Sequence, residues 1–188
     1  MIKKSLVILL ISLGFISCKK EVVKETSQEK NLQVSSVKTY TYSELKPLLE
    51  RNDGKTYIVN FWATWCAPCV KELPYFEKIK KEYDDKNVEV LLVSLDFPKQ
   101  VEKKLIPFIN KRKLNSKVVL LDDINEDVWI KAIDENWSGA IPATLIYNKN
   151  KRSFYEHSFD YETLENANFA WRNLSKDNPL LDLKYDGK

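Results

Sequence analysis

Residues 57–83 read YIVNFWATWCAPCVKELPYFEKIKKEY, and the spacing of the apolar residues changes within this segment. Residues 57–62 form a nearly continuous run of β-branched and aromatic residues, which predicts a strand covered on both faces. After the two cysteines, apolar residues recur at three- and four-residue steps, which predicts a helix with one apolar stripe. Cys66 and Cys69 therefore lie between a predicted strand and a predicted helix.

The rest of the chain continues this alternation of strands and helices. Residues 88–95 predict a second buried strand, and the order strand, helix, strand implies a parallel crossover. Further predicted elements are a helix at 101–109, a strand at 118–121, a helix at 128–133, a hairpin of 143–147 and 153–157, and a closing helix at 164–174. We therefore predict an α/β domain with a central mixed sheet flanked by helices.

The N-terminus has the three parts of an export signal. Two lysines are followed by an apolar run at residues 6–16 and by the small Ser17. The end of this segment, GFISC, resembles a bacterial lipobox, which implies that Cys18 is acylated and becomes the mature N-terminus. We predict a lipoprotein signal peptide over residues 1–17. A simple secretory signal and an uncleaved anchor are the alternatives, and both would also export the domain.

Composition predicts the remaining domain boundaries. Residues 18–39 are rich in Lys, Glu, Ser and Gln without a sustained period, which predicts a lipid-anchored flexible tether. The domain is expected over residues 40–174, and a polar C-terminal tail over 175–188. The 30 basic and 27 acidic residues nearly balance, so the charge gives no reason to expect a nucleic acid partner.

The two cysteines are suited to thiol chemistry because of their position. At a helix N-terminus, unpaired backbone N–H groups favour a negative charge, so Cys66 is expected to form the attacking thiolate. Zinc is not expected, because the chain has no second C-x-x-C pair and His157 is its only histidine. A c-type haem would require histidine where Val70 stands. An inert structural disulfide remains an alternative.

Two segments carry a resemblance to a known family. Residues 60–74, NFWATWCAPCVKELP, and residues 139–144, GAIPAT, resemble the active-site segment and the cis-proline loop of the TlpA/ResA-like extracytoplasmic thioredoxin-like proteins. The resemblance implies a thioredoxin fold with a central β-α insertion, here within residues 96–122. It also implies that the chain is a thiol-disulfide oxidoreductase with a narrow choice of protein substrates.

The same resemblance assigns roles to individual residues. Cys66 corresponds to the exposed nucleophile and Cys69 to the buried resolving thiol. Pro142 corresponds to the cis-proline, which would let the backbone of Ile141 pair with an extended substrate segment. An ordinary trans proline is the alternative. The residues beside the nucleophile expected to contact the substrate are Trp65, Ala67 and Pro68.

Glu72 is the predicted proton carrier, because it corresponds to an acid near the active site of several relatives. A partly buried carboxylate there could accept or return the proton of Cys69. The alternative is an exposed glutamate on the helix surface. Asn60 stands where cytoplasmic thioredoxins carry a buried aspartate, and an amide cannot serve as a base.

These observations predict an enzyme that reduces disulfides in specific envelope proteins. The redox-active pair Cys66–Cys69 would take the place of a cofactor, no metal is expected, and a membrane electron donor would reduce the pair again. A catalytically silent binding module tethered to the membrane is the alternative. A thiol peroxidase is a second rival, but it would need threonine at the position of Ala63.

Overall fold

A six-stranded sheet runs through the part of the chain that the computed structural model describes, residues 33–173, with side chains up to residue 168. The strands lie in the spatial order β1-β4-β3-β2-β5-β6, where β5 and β6 are antiparallel to their neighbours and the other pairs are parallel. The predicted mixed sheet is therefore confirmed. The strands are β1 (Lys38–Tyr40), β2 (Thr56–Trp62), β3 (Val88–Ser94), β4 (Lys117–Leu121), β5 (Ala143–Tyr147) and β6 (Arg152–Tyr155).

Five α-helices connect or follow the strands in this part of the chain. They are α1 (Tyr42–Leu45), α2 (Ala67–Tyr83), α3 (Ile106–Arg112), α4 (Glu126–Ile133) and α5 (Tyr161–Asn173). Short 3₁₀ segments lie at Lys46–Leu48, Asp84–Lys86 and Pro98–Gln100. Among the helices described, none has the length and apolar character needed to cross a membrane.

The helix predicted at residues 101–109 is irregular. Its first part, Val101–Leu105, is a π-helix, and α3 begins only at Ile106. Pro107 lies in the first turn of α3 and has no backbone N–H, so it cannot continue the regular hydrogen-bond ladder. This helical segment and β4 occupy the interval predicted for the β-α insertion, and β4 joins the sheet between β1 and β3.

Both faces of the sheet are covered. One core cluster packs the sheet against α2, α3 and α5, and the other packs it against α1 and α4. All seven residues of β2 are buried, which confirms the strand predicted from its apolar run. Alternate side chains of β2 enter the two clusters, with Trp62 in the first and Phe61 in the second.

One edge of the sheet brings distant segments together. β2, β3 and β4 run parallel and end at this edge, which we call the carboxyl edge. β5 runs antiparallel to β2 and begins there, with Ala143 opposite Phe61. The residues that follow β2 therefore lie beside the residues that precede β5.

The fold begins earlier than the predicted boundary at residue 40. β1 pairs with β4. The backbone N–H of Val34 donates to the side-chain oxygen of Asn110 at 2.8 Å, and the side-chain nitrogen of Asn110 donates to the Val34 carbonyl at 2.9 Å. One compact unit starts at Gln33. The tether predicted over residues 18–39 therefore overlaps the fold at its C-terminal end. The predicted signal peptide, Cys18 and the polar tail lie outside the described residues.

Replacing Asn110 with Ala should release the segment around Val34. The free energy of unfolding is expected to fall by about 1–2 kcal/mol, because both polar backbone groups of Val34 lose their partner. Hydrogen exchange of the Val34 amide should become faster. Asn115→Ala is the matched control, since the Asn115 side chain donates locally to the Lys113 carbonyl. Equal exchange at Val34 in the two variants would contradict the prediction.

Candidate active site

Cys66 is the N-cap residue of α2, between the end of β2 and the first helical turn. Its Sγ accepts a hydrogen bond from the backbone N–H of Cys69 at 3.3 Å, and the two cysteines form a disulfide. Cys66 is 6% exposed and Cys69 is fully buried, whereas Ala67 and Pro68 are exposed. The sulfur nearer the surface is therefore the one that faces the positive end of the helix.

A cis peptide bond lies directly opposite this sulfur. The Ile141–Pro142 bond is cis, which confirms the prediction from the family resemblance. The carbonyl oxygen of Ile141 lies 3.7 Å from Sγ of Cys66. Pro142 is buried and Ile141 is half-buried, so Ile141 is partly accessible beside Cys66.

The segment that leads to the cis bond is fixed from two sides. The buried indole of Trp137 donates to the Ala140 carbonyl at 2.8 Å. On the other side, the Glu156 carboxylate accepts hydrogen bonds from the backbone N–H groups of Ser138 and Ala140 at 3.1 and 3.2 Å. Burial raises the pKa of Glu156, but the hydrogen bonds from these two residues outweigh it and leave the pKa below its usual value. Glu156 therefore remains an acceptor near neutral pH.

Glu72 is buried, with 1% of its surface exposed, and does not lie on an open helix surface. One carboxylate oxygen accepts from the Asn60 side chain at 2.9 Å, and the other accepts from the backbone N–H of Phe159 at 2.7 Å. Burial raises its pKa to about 7, even though both hydrogen bonds lower it. Cys69 and Glu72 are three residues apart on α2 and so lie on the same helix face.

The Asn60 side chain can form a hydrogen bond with Glu72 whether the carboxyl group is charged or protonated. The Asn60 amide nitrogen also lies 3.1 Å from the Thr144 hydroxyl, whereas its carbonyl oxygen has no hydrogen-bond partner among the described residues. Rotation of the amide by half a turn would present this oxygen as an acceptor to a protonated Glu72. An amide at this position is therefore compatible with proton transfer at Glu72, although it is not itself a base.

Sequence reasoning missed Asp96, which fixes the loop before Cys66. Asp96 is buried just beyond β3, and its carboxylate accepts from the Thr64 backbone N–H at 3.0 Å and from the Thr64 hydroxyl at 2.5 Å. The Ser94 hydroxyl donates to it at 2.8 Å. The sequence did contain a signal for Asp96, which is a polar residue directly after a predicted buried strand. Such residues lie together at the carboxyl edge.

The two tryptophans near the cysteines have different surroundings. Trp62 is fully buried and packs against Phe108, with ring centroids 5.5 Å apart, whereas Trp65 is 57% exposed. Of the two, only Trp65 is available to a partner protein. Within the described part of the chain, no three His, Cys, Asp or Glu side chains are grouped to hold a metal ion.

Comparison with known proteins identifies the family of this chain. A family model described as "AhpC/TSA family" matches residues 23–152. The chain belongs to this family. In the thioredoxin-like protein YneN of Bacillus subtilis (strain 168), 34% of 97 residues are identical, which covers 52% of this chain and 56% of the relative. In the thiol-disulfide oxidoreductase ResA of Bacillus thuringiensis (strain Al Hakam), 31% of 107 residues are identical. This match covers 57% of this chain and 54% of the relative.

The chain thus spans about half the length of these curated relatives. The crystal structure of a thiol:disulfide interchange protein, a thioredoxin family protein from Chlorobium tepidum TLS, superposes with a TM-score of 0.53. That match is 18% identical and covers 63% of this chain and 81% of the other. It supports the fold alone. The thioredoxin fold predicted from the two motifs is confirmed, and the relatives named ResA agree with the predicted family resemblance.

The burial of Glu72 predicts a pH-dependent contribution to stability. Because its pKa rises from 4.5 to about 7 in the folded protein, the folded state binds the proton more tightly. This stabilisation is complete below pH 4.5 and is lost as the pH rises through 7. Relative to Glu72→Gln, the wild-type free energy of unfolding should fall by about 3 kcal/mol between pH 4.5 and pH 8.

Denaturant unfolding of the oxidised protein at several pH values measures this difference. Glu102→Gln, which removes an exposed carboxylate, controls for the change in net charge. If the difference between wild type and Glu72→Gln stays constant across the pH range, the pKa of Glu72 is not raised in the folded protein.

Proposed function

We propose that this chain is an extracytoplasmic thiol-disulfide oxidoreductase that reduces disulfides in specific envelope proteins through Cys66 and Cys69. The observation that carries the proposal is the position of Cys66 Sγ, between the N-terminus of α2 and the backbone of a cis-proline loop. Curated relatives named thiol-disulfide oxidoreductase ResA support the same reaction.

The reaction transfers two electrons from the reduced pair to a partner disulfide. The Cys66 thiolate attacks one partner sulfur, forms a mixed disulfide and displaces the other partner sulfur as a thiolate. Cys69 then attacks Sγ of Cys66, so that the partner leaves with both sulfurs reduced and Cys66–Cys69 becomes oxidised. A membrane electron donor reduces the pair for the next cycle.

The neighbouring residues support each step. An extended partner segment pairs with the backbone of Ile141 beside Pro142, while the exposed Trp65, Ala67 and Pro68 contact it on the other side of Cys66. Glu72 takes the proton of Cys69 before resolution. A carboxylate with a pKa of about 7 is suited to accept and return a proton near neutral pH.

The reaction takes place at the bacterial cell envelope. In this proposal, residues 1–17 direct export and are removed, and Cys18 holds the mature chain on a membrane by its lipid. The partners are disulfide-containing envelope proteins and the electron donor, and no nucleic acid is involved. The redox-active disulfide replaces a bound cofactor.

Reduction of insulin by dithiothreitol in the presence of the full-length chain tests the proposed reaction. Wild type should accelerate insulin reduction, and Cys66→Ser should abolish the acceleration because the attacking sulfur is missing. Cys18→Ser is the matched control, since it removes the third cysteine and should retain the activity. When the reduced Cys69→Ala variant is mixed with insulin without dithiothreitol, a mixed disulfide should accumulate on Cys66, because no thiol is present to resolve it.

Two outcomes favour the rival functions. Equal rates for wild type and Cys66→Ser would contradict the proposed reaction, and the absence of acceleration by both would indicate a silent binding module. Consumption of hydrogen peroxide through Cys66, without any reduction of insulin, would indicate a thiol peroxidase.

A further inference from the structure

Basic side chains are concentrated at the edge of the sheet opposite the active site. At this edge, which we call the amino edge, β2, β3 and β4 begin and β5 ends. Residues 111–117, which lead from the end of α3 into β4, contain four basic residues and no acidic one. Residues 148–152, which lead from β5 into β6, contain three basic residues and no acidic one. All of these basic side chains are exposed.

The middle of the amino edge, between these two basic segments, is close to neutral. Residues 80–87, from α2 to β3, contain three basic and three acidic residues, and Nζ of Lys80 lies 3.2 Å from the Asp84 carboxylate. Nζ of Lys55, before β2, lies 2.6 Å from the Glu89 carboxylate. By contrast, no described acidic side chain forms an ion pair with four lysines of the basic segments, which are Lys111, Lys113, Lys117 and Lys149. Their charge is therefore open to an anionic partner.

The carboxyl edge has the opposite charge. Residues 122–127, which follow β4, contain four acidic residues and no basic one, and Glu156 and Asp160 follow β6. β2 crosses from one edge to the other over Thr56–Trp62, which is about 20 Å because a strand rises about 3.3 Å per residue. The charge of the domain is thus separated along the strands, and Cys66 lies at the acidic end.

We propose that the amino edge rests on an anionic lipid bilayer, the membrane on which Cys18 holds the chain, so that Cys66 faces away from it. The inference rests on the anchoring in the proposed function and names the surface that meets the membrane. Basic side chains within a Debye length, about 10 Å at 0.1 M salt, are attracted to anionic headgroups. The acidic carboxyl edge is then about 20 Å further out and screened. The reverse orientation would press it against like charge.

The distance between the two basic segments suits an extended anionic surface. β3 and β2 lie between β4 and β5 in the sheet. With neighbouring strands about 4.8 Å apart, the beginning of β4 and the end of β5 are about 15 Å apart. One small anion cannot contact both segments at this separation. The headgroups of a bilayer form a continuous layer of charge, which contacts both at once.

The chain enters the fold on the side of the amino edge. β1 runs parallel to β4, so the residues before β1 lead towards that edge. Val34 binds Asn110 in the last turn of α3, the helix that leads to the first basic segment. The fifteen residues from Cys18 to Leu32 reach at most about 50 Å. This reach lets the amino edge touch the bilayer, and it also lets the domain leave the surface when the membrane donor reduces the active-site disulfide.

Acetylation of individual lysines tests this orientation in the lipid-modified chain. The chain is added to preformed vesicles of phosphatidylcholine, or of phosphatidylcholine with about one-third phosphatidylglycerol, which is anionic. The lipid anchor inserts into both. Sulfosuccinimidyl acetate then modifies accessible lysines, and mass spectrometry gives the acetylation rate of each. Because each lysine is compared with itself on the two kinds of vesicle, differences in intrinsic reactivity cancel.

Anionic vesicles should slow the acetylation of three amino-edge lysines about threefold relative to neutral vesicles, and these are Lys111, Lys117 and Lys149. Three exposed lysines on the carboxyl side of the sheet should react equally on both, and these are Lys99, Lys103 and Lys104. Raising the salt from about 0.1 M to about 1 M should remove the difference, because the Debye length falls from about 10 Å to about 3 Å.

Two triple variants change the net charge equally at opposite ends of the domain. The amino-edge variant, Lys111→Glu/Lys113→Glu/Lys149→Glu, should abolish the protection of Lys117 on anionic vesicles. The carboxyl-side variant, Lys99→Glu/Lys103→Glu/Lys104→Glu, should retain it. Both variants should reduce insulin at the wild-type rate, which checks that they are folded.

The outcomes separate this inference from the proposed function. If anionic vesicles protect no lysine, protect both edges equally or protect only the carboxyl side, while insulin is still reduced, the inference fails and the proposed reaction stands. If the chain does not stay on neutral vesicles, the proposed anchoring fails and the inference fails with it. Equal protection of the amino edge on both kinds of vesicle, growing with protein density, would overturn the inference in favour of a contact between copies through their oppositely charged edges.

Discussion

The hydrogen bond from the Cys69 backbone N–H to Sγ of Cys66 is the interaction on which the site depends. It requires Cys66 to cap α2, and this in turn requires β2 to end a few residues before the helix begins. The cis-proline loop reaches the same sulfur because β5 runs antiparallel to β2 and starts at the carboxyl edge. One attacking sulfur is thereby placed between a helix N-terminus and a backbone that an extended chain can pair with.

The elements predicted well from the sequence are those with strong local patterns. The apolar run of β2 and the apolar stripe of α2 are properties of a few consecutive residues, and the structure has both. The cis bond before Pro142 required the family resemblance, because most bonds before proline are trans. The π-helical segment before α3 was not predicted. Its apolar residues have the same spacing whether or not Pro107 interrupts the helix.

The features that sequence reasoning missed depend on partners far away in the chain. Asp96 is 32 residues from Thr64, and Asn110 is 76 residues from Val34. The backbone N–H of Phe159, which donates to Glu72, is 87 residues away from it. The types of residue in a segment and their spacing along the sequence do not reveal such contacts. For this reason the sequence does not decide whether Glu72 is buried or exposed on the helix surface. For the same reason it places the segment before β1 in the predicted tether.

Alkylation of the reduced full-length chain by iodoacetamide at pH 6.5 and pH 8.5 tests the central feature most directly. A thiol in a short peptide is only about 1% thiolate at pH 6.5. If α2 holds Cys66 as a thiolate, mass spectrometry should find Cys66 alkylated at least ten times faster than Cys66 in a peptide of residues 62–72, and faster than the buried Cys69. Equal rates for Cys66 in the folded chain and in the peptide at both pH values would contradict this.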